Sequence, residues 1–201
     1  MSDPAFNFWE HAQEMTEEEY LRTEPESPVK REFVDGYAYP LHGRTLAQAG
    51  ASSGHGEIAL NIGAALLPQA RRSNCRVYVA DMRVSAENPT GRRVYYYPDV
   101  VGTCEPMELE TTLSREPCLL VEVLSPSTGH VDRTDKLWAY TSLPSLQTYL
   151  IVDASKRFVR VIRRTADGWE ETELRDEGTV PIPCLNTDLT LDDIYAGVLD
   201  R

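Results

Sequence analysis

Residues 117–124 read Pro-Cys-Leu-Leu-Val-Glu-Val-Leu, an apolar run with one acid, Glu122, in its interior. A short apolar run of branched residues predicts a buried strand. Strand-like segments also fall at 75–84, 92–104, 146–153, 157–164 and 169–175, the last two joined around Asp167-Gly168. Residues 30–41 predict a hairpin about Asp35-Gly36, because such a pair favours a tight turn. Helical spacing shows at 54–72, where Ile58, Ile62, Ala65 and Leu66 align and Pro68 lies near the end, and again at 130–143 and 188–199. Thr16 and Glu19 have the spacing of a capping box and open a short helix toward Arg22. Thr190 or Asp188 caps the closing helix. Residues 105–116 read as an acidic loop. Strands interleaved with helices predict the α/β (α+β) class, a mixed central sheet flanked by helices. The length favours a single domain over 16–201 with residues 1–15 as an N-terminal extension.

The buried acid has a partner in the preceding strand. Strand side chains alternate faces, so Tyr95, Tyr97, Asp99 and Val101 share one face, as do Leu120, Glu122 and Leu124. If the two strands pair with these faces together, the Cβ atoms of Asp99 and Glu122 stand about 5 Å apart. Two such charges repel by about 4 kcal/mol at 4 Å with an effective dielectric near 20, and each also loses hydration. A shared proton, a basic partner or a divalent cation would each offset this, and oxygen ligands suit Mg²⁺ or Mn²⁺. Asp132, Lys136 and Tyr140 follow at i, i+4 and i+8, on one face of a helix that can fold back over the strand's C-terminal end. Lys136 there makes an ordinary ion pair with Glu122 or Asp132, or orients a water and a phosphate oxygen; spacing leaves both open. Asp81 shares a strand face with Val77 and Val79 and is a further candidate. His55 begins a helix, where a polar side chain caps the turn or meets an anion.

Charge complicates a nucleic-acid partner. The 201-residue chain carries a net charge of -12, which argues against a protein that coats nucleic acid or an anionic membrane. Local basic stretches exist nonetheless. Residues 71–93 hold six arginines against Asp81 and Glu87, and Lys156, Arg157, Arg160, Arg163 and Arg164 cluster further on. Arg71, Arg72, Arg76, Arg92 and Arg93 are the candidates for a phosphate-binding patch. No secretory signal and no membrane span is read, so the cytoplasm is expected. His11, His42 and His130 read as surface residues.

The four cysteines, Cys75, Cys104, Cys118 and Cys184, are scattered without a C-x-x-C pair and read as reduced thiols, three of them in strand-like runs. Gly50-Ala51-Ser52-Ser53-Gly54 matches the G-x-S-x-G pattern of a nucleophile elbow. The preceding segment is a poor strand, however, so Ser52 reads as part of a loop capping a helix.

The segments Tyr95–Val101 ("YYYPDVV") and 119–128 ("LLVEVLSPST"), followed by D-x-x-x-K-x-x-x-Y at Asp132, Lys136 and Tyr140, resemble the Uma family of restriction endonucleases, within the PD-(D/E)XK nuclease superfamily. "REFVDG" at 31–36 and "YLIVD" at 149–153 fit as well, and the likeness runs from about Thr16 to Leu199. It implies a restriction-endonuclease-like core and an endonuclease that hydrolyses DNA with Mg²⁺ or Mn²⁺. In that likeness Asp99, Glu122 and the Val123 carbonyl would hold the metal, and Lys136 would be the catalytic lysine. Glu32 falls where the family carries an acid. The superfamily's E-x-K lysine position is Leu124 here, so the lysine has moved to the adjacent helix. The resemblance further implies a homodimer, with no organic cofactor and no membrane partner. The competing expectation is a nuclease-fold protein of weak or absent activity with a binding or regulatory role.

Overall fold

The computed structural model describes residues 12–41, 52–124 and 133–199. The chain opens with β1 (Gln13–Glu14), α1 (Glu17–Thr23), β2 (Arg31–Val34), β3 (Tyr37–Pro40) and α2 (Ser53–Arg72). It continues through β4 (Arg76–Val79), β5 (Arg83–Glu87), β6 (Arg93–Tyr96), β7 (Val100–Thr103), β8 (Leu113–Ser114), β9 (Pro117–Leu124) and α3 (Arg133–Ser142). It closes with β10 (Thr148–Asp153), β11 (Phe158–Thr165), β12 (Gly168–Arg175), β13 (Thr179–Ile182), β14 (Thr187–Thr190) and α4 (Leu191–Tyr195). One six-stranded sheet is ordered β1-β3-β2-β6-β5-β8, a second β12-β11-β10-β9-β7-β4, and β13 pairs with β14 alone. The expected mixed α+β class holds. The strands, however, divide between two six-stranded sheets and the β13–β14 pair.

That division has a local cause. Segment 75–84 breaks into β4 of the second sheet and β5 of the first; segment 92–104 breaks into β6 of the first and β7 of the second. At the first break Ala80 and Asp81 take left-handed backbone, at φ 57° and 63°. At the second, Pro98 has no N–H to continue a ladder. The two breaks touch, because the Ala80 N–H donates to the Asp99 carbonyl at 2.9 Å. Asp99 therefore stands at the corner where the chain crosses between sheets.

The second sheet sets the register of the acids. β7 runs antiparallel to β9 with Val100 opposite Val121 and Val101 opposite Leu120; continued by one step, Asp99 faces Glu122. β9 runs parallel to β10, a pairing that needs a crossover, and α3 lies in that crossover. Alternation then sorts the side chains. Leu119, Val121 and Val123 pack against Ile58, Ile62 and Leu66 of α2. Leu120 faces the other way, among Val84, Val94 and Tyr96 of the first sheet and Ala139 and Tyr140 of α3. Glu122 shares the Leu120 face.

Two expectations change. Cys75 is bonded to Cys104 and Cys118 to Cys184, where reduced thiols are expected. The pairs are 29 and 66 residues apart in sequence, and spacing carries no sign of them. Arg76 opposite Thr103 in the β4–β7 ladder brings Cys75 and Cys104 together one step beyond its end. The closing helix is also shorter than expected. Thr187–Thr190 forms β14, and Thr190 caps α4 with a reciprocal bond to Asp193. Thr16 and Glu19 make the expected capping box of α1, and the Asp35-Gly36 turn takes positive φ at both residues.

Candidate active site

Four elements deliver polar side chains to the corner between the sheets. β9 supplies Glu122, whose side chain is only 13 % exposed. α3 supplies Lys136 and Tyr140 one turn apart. Lys136 Nζ donates to Glu122 Oε1 at 3.3 Å, and the Tyr140 hydroxyl donates to the same oxygen at 2.9 Å. β2 supplies Glu32, which takes Lys136 Nζ at 2.9 Å and the Tyr97 main-chain N–H at 3.2 Å on Oε1. α2 supplies His55 from the opposite layer, and its Nε2 lies 2.8 Å from Asp99 Oδ1. The other Asp99 oxygen, Oδ2, accepts the Val123 main-chain N–H at 2.7 Å.

Burial and like charge act on Glu122 together. Loss of solvent pushes its carboxyl up to about 7; Lys136 opposes the rise, and Asp99 and Glu32 add to it. Three carboxylates, Glu122, Glu32 and Asp99, thus share the corner with one ammonium and one imidazole. His55 is raised above the ordinary histidine range by its hydrogen bond to Asp99, against the opposing effect of burial. Burial likewise raises the Tyr140 hydroxyl well above its usual value, so it stays a donor to Glu122. Tyr140 is wholly buried and packs edge-on between Tyr96 and Tyr149, with centroids at 5.7 and 5.1 Å. Lys136 Nζ lies 5.2 Å from the centre of the Tyr96 ring.

The structure thus brings together Asp99, Glu122, Lys136, Glu32, Tyr140 and His55, with the main chain of Val123 beside them. Within a strand, one residue's N–H and C=O point to the same side, so the Val123 carbonyl faces the edge from which Asp99 approaches. Asp81 does not join the group. Its side chain is 76 % exposed and pairs with Lys30, because the left-handed turn at 80–81 ends the strand that would have aimed it inward. Asp132 lies outside the described residues, as do His11, His42 and His130. The candidate arginines come from α2, β4 and the β5–β6 hairpin. Arg71 ends α2 about 24 Å along the helix axis from His55, with Arg72 beside it. Arg92 pairs with Asp35 at 3.7 Å, and Arg93 with Glu87 at 3.6 Å. Ser52 is a cap, accepting the His55 N–H at 3.3 Å.

Sequence reasoning passes over Tyr96 and Tyr97. Besides the main-chain bond to Glu32, the Tyr97 hydroxyl donates to Glu24, which is buried against Arg31. The triplet Tyr95-Tyr96-Tyr97 immediately before Pro98-Asp99 is the available signal, although only Tyr96 and Tyr97 reach the corner; Tyr95 packs on Tyr20 and Phe33 instead. Among the described residues, no group of three or more His, Cys, Asp or Glu side chains is placed to hold a metal ion in this arrangement; the acids turn to protein donors instead.

The model of the family Uma2, described as "Putative restriction endonuclease", matches residues 17–192, which include every residue of the corner. The chain belongs to this family. Two proteins of Synechocystis sp. are similar to this Uma2 chain. One, the uncharacterized protein slr1290, is 29 % identical over 186 residues, covering 92 % of this chain and 93 % of its own. The other, sll1609, is 31 % identical over 168 residues, 81 % of this chain and 89 % of its own. Among solved structures, the crystal structure of "a putative nuclease belonging to DUF820" from Anabaena variabilis superposes with a TM-score of 0.68. It is 17 % identical and covers 90 % of this chain and 98 % of that one, so the Uma2 chain shares its fold. Among the described residues no helix is long and apolar enough to cross a membrane.

Proposed function

We propose that this Uma2 chain is an endonuclease that hydrolyses DNA phosphodiester bonds with a divalent cation, Mg²⁺ or Mn²⁺. The observation that carries the reading is the meeting of Asp99 and Glu122 at one corner, with Lys136 held between Glu122 and Glu32. The donor set fits such an ion. Two carboxylates and the Val123 carbonyl are hard oxygen donors of the kind Mg²⁺ and Mn²⁺ take. Burial holds the Glu122 carboxyl up at about 7, and Asp99 and Glu32 add to the rise; a further positive charge beside it would offset both effects. When bound, the ion would polarise a phosphate oxygen and lower the pKa of a water.

The chain's own residues divide the remaining work. Asp99 is fixed by the Val123 N–H through Oδ2, which holds its carboxylate in one orientation. Tyr140 donates to Glu122 and fixes its rotamer from the buried side. Lys136 has two carboxylate anchors. If Glu122 turns to a cation, Glu32 still holds the ammonium where it can face a scissile phosphate and stabilise charge developing there. Cutting both strands of a duplex needs two such sites, and we take the working unit to be a pair of chains.

A supercoiled plasmid incubated with the chain and Mn²⁺ or Mg²⁺ tests the reading. Asp99→Ala and Glu122→Ala are each expected to lower cleavage at least about 100-fold, and Lys136→Met comparably. Cleavage that survives the loss of both acids rules this site out. A binding or regulatory role without chemistry is favoured by one observation, that both acids already have protein donors. That role predicts no heat on titration with Mn²⁺ or Mg²⁺.

A further inference from the structure

We propose that His55 is a nitrogen ligand of this site's cation, so that the donor set is imidazole plus carboxylate and favours first-row transition ions over Mg²⁺. The inference rests on reading the corner as a metal centre, and it specifies which class of ion that centre prefers.

Three observations lead to it. First, Asp99 Oδ2 is committed to the Val123 N–H at 2.7 Å, which leaves Oδ1 as the oxygen to meet an ion. Oδ1 is the atom His55 touches. Second, the separation suits shared ligation. Two ligands at right angles around a six-coordinate ion, each about 2.1 Å away, stand about 3 Å apart; His55 Nε2 and Asp99 Oδ1 stand 2.8 Å apart. Binding replaces this hydrogen bond: Nε2 releases its proton to solvent, Nδ1 keeps the remaining one, and the ring turns so that the Nε2 lone pair meets the ion. Third, the imidazole is held in place. Its side chain is 14 % exposed, and it projects from the first turn of a 20-residue helix whose start is capped by Ser52. It enters from the α2 layer, whereas Lys136 enters from α3, so the amine and the imidazole serve different acids.

Chemistry sets the consequence. Mg²⁺ is a hard cation that takes oxygen and keeps its waters. Imidazole is a good ligand for later first-row ions, whose affinities rise from Mn²⁺ through Co²⁺. A site with His55 in the ligand set therefore discriminates where an oxygen-only site would not.

The test uses the full, untagged chain. Pulsed electron paramagnetic resonance of the Mn²⁺-loaded protein is expected to show coupling to a directly bound ¹⁴N, lost in His55→Ala. Calorimetric titration is expected to show Co²⁺ binding weakened at least about 10-fold by His55→Ala, with Mg²⁺ binding changed by less than about 3-fold. Absence of ¹⁴N coupling in the wild-type complex overturns the proposal and needs no variant. Equal weakening of both ions also overturns it, because His55 would then only orient Asp99. The outcome is separable from that of the nuclease reading. Cleavage that depends on Asp99 and Glu122 without ¹⁴N coupling leaves the nuclease and removes the ligand. Coupling without cleavage leaves the ligand and removes the nuclease.

Discussion

Glu122 is held where its own charge is disfavoured, and this makes it the most informative single residue. Its ordinary value of 4.5 rises to about 7 in the folded chain, so between those values the folded state holds a proton that the unfolded state has released. Stability then falls as pH climbs from about 4.5 to about 7 and stays low above it. Glu122→Gln keeps the shape and removes the charge. At pH 8 the variant is expected to be more stable than the wild type by up to about 3 kcal/mol, and near pH 4 the two should match. Urea midpoints at both pH values measure this, while the same substitution is expected to end the proposed metal binding at the corner. Equal midpoints at pH 8 would show that Lys136 and Tyr140 already compensate the buried charge in full. His55 moves in the same direction. Raised by Asp99, it adds stability that is complete below 6.5 and is lost as pH rises through its folded value. Its NMR titration midpoint should fall in Asp99→Asn. At this scale the acids and the lysine were legible, because an acid inside an apolar run and a lysine at helical spacing from two other polar residues are local signals. The Tyr97 N–H on Glu32 was not, since a main-chain donor leaves no mark on the identity of its residue.

Helix α2 depends on a residue that helices normally avoid. Gly63 sits in its interior, where glycine costs about 1 kcal/mol relative to alanine. Packing explains it: a Cβ at Gly63 would lie 2.4 Å from Val79 Cγ2 of β4. The close approach seats α2 on the second sheet and so sets how far His55 reaches toward Asp99. Gly63→Ala is expected to destabilise the fold by about 1–3 kcal/mol despite its better helix propensity, and Val79→Ala in the same chain should recover most of that loss. Thermal unfolding of the two single variants and the double variant decides the matter; a stable Gly63→Ala single variant would mean that the helix can shift without cost. The elements themselves were largely readable from alternation and helical spacing. Two long strands were not, because alternation continues through a corner whether or not the chain changes sheets. The left-handed pair Ala80-Asp81 ends the first strand with side chains that seldom adopt that conformation. For the same reason Asp81 looked like a site residue along the strand and stands in solvent instead.

The whole molecule carries a charge of -12, and among the described residues many of its basic side chains are ion-paired. Arg92 meets Asp35 and Arg93 meets Glu87, while on the β11–β12 hairpin Arg160 and Arg163 pair with Glu171 and Glu170 at 2.6 and 2.8 Å. The charge count could be taken from composition, but the internal pairing could not, since these partners become neighbours only when the strands align. On the proposed reading, a duplex approaching these pairs would meet few uncommitted cations, and a loaded metal centre would supply the principal local positive charge. DNA affinity should therefore depend weakly on monovalent salt and strongly on the divalent ion. In the Lys136→Met background, the logarithm of affinity against the logarithm of salt is expected to have a slope shallower than about -3, corresponding to about three phosphate contacts. Binding without a divalent ion should be weak, Mn²⁺ should strengthen it, and Asp99→Ala should remove that gain. A steep slope of about -8, or binding indifferent to Mn²⁺ and to Asp99, would mean that several arginines release their carboxylates to grip the backbone. Charge reversal at Arg92 and Arg93 would then flatten the slope by about 2, which locates the grip on the β5–β6 hairpin or excludes it.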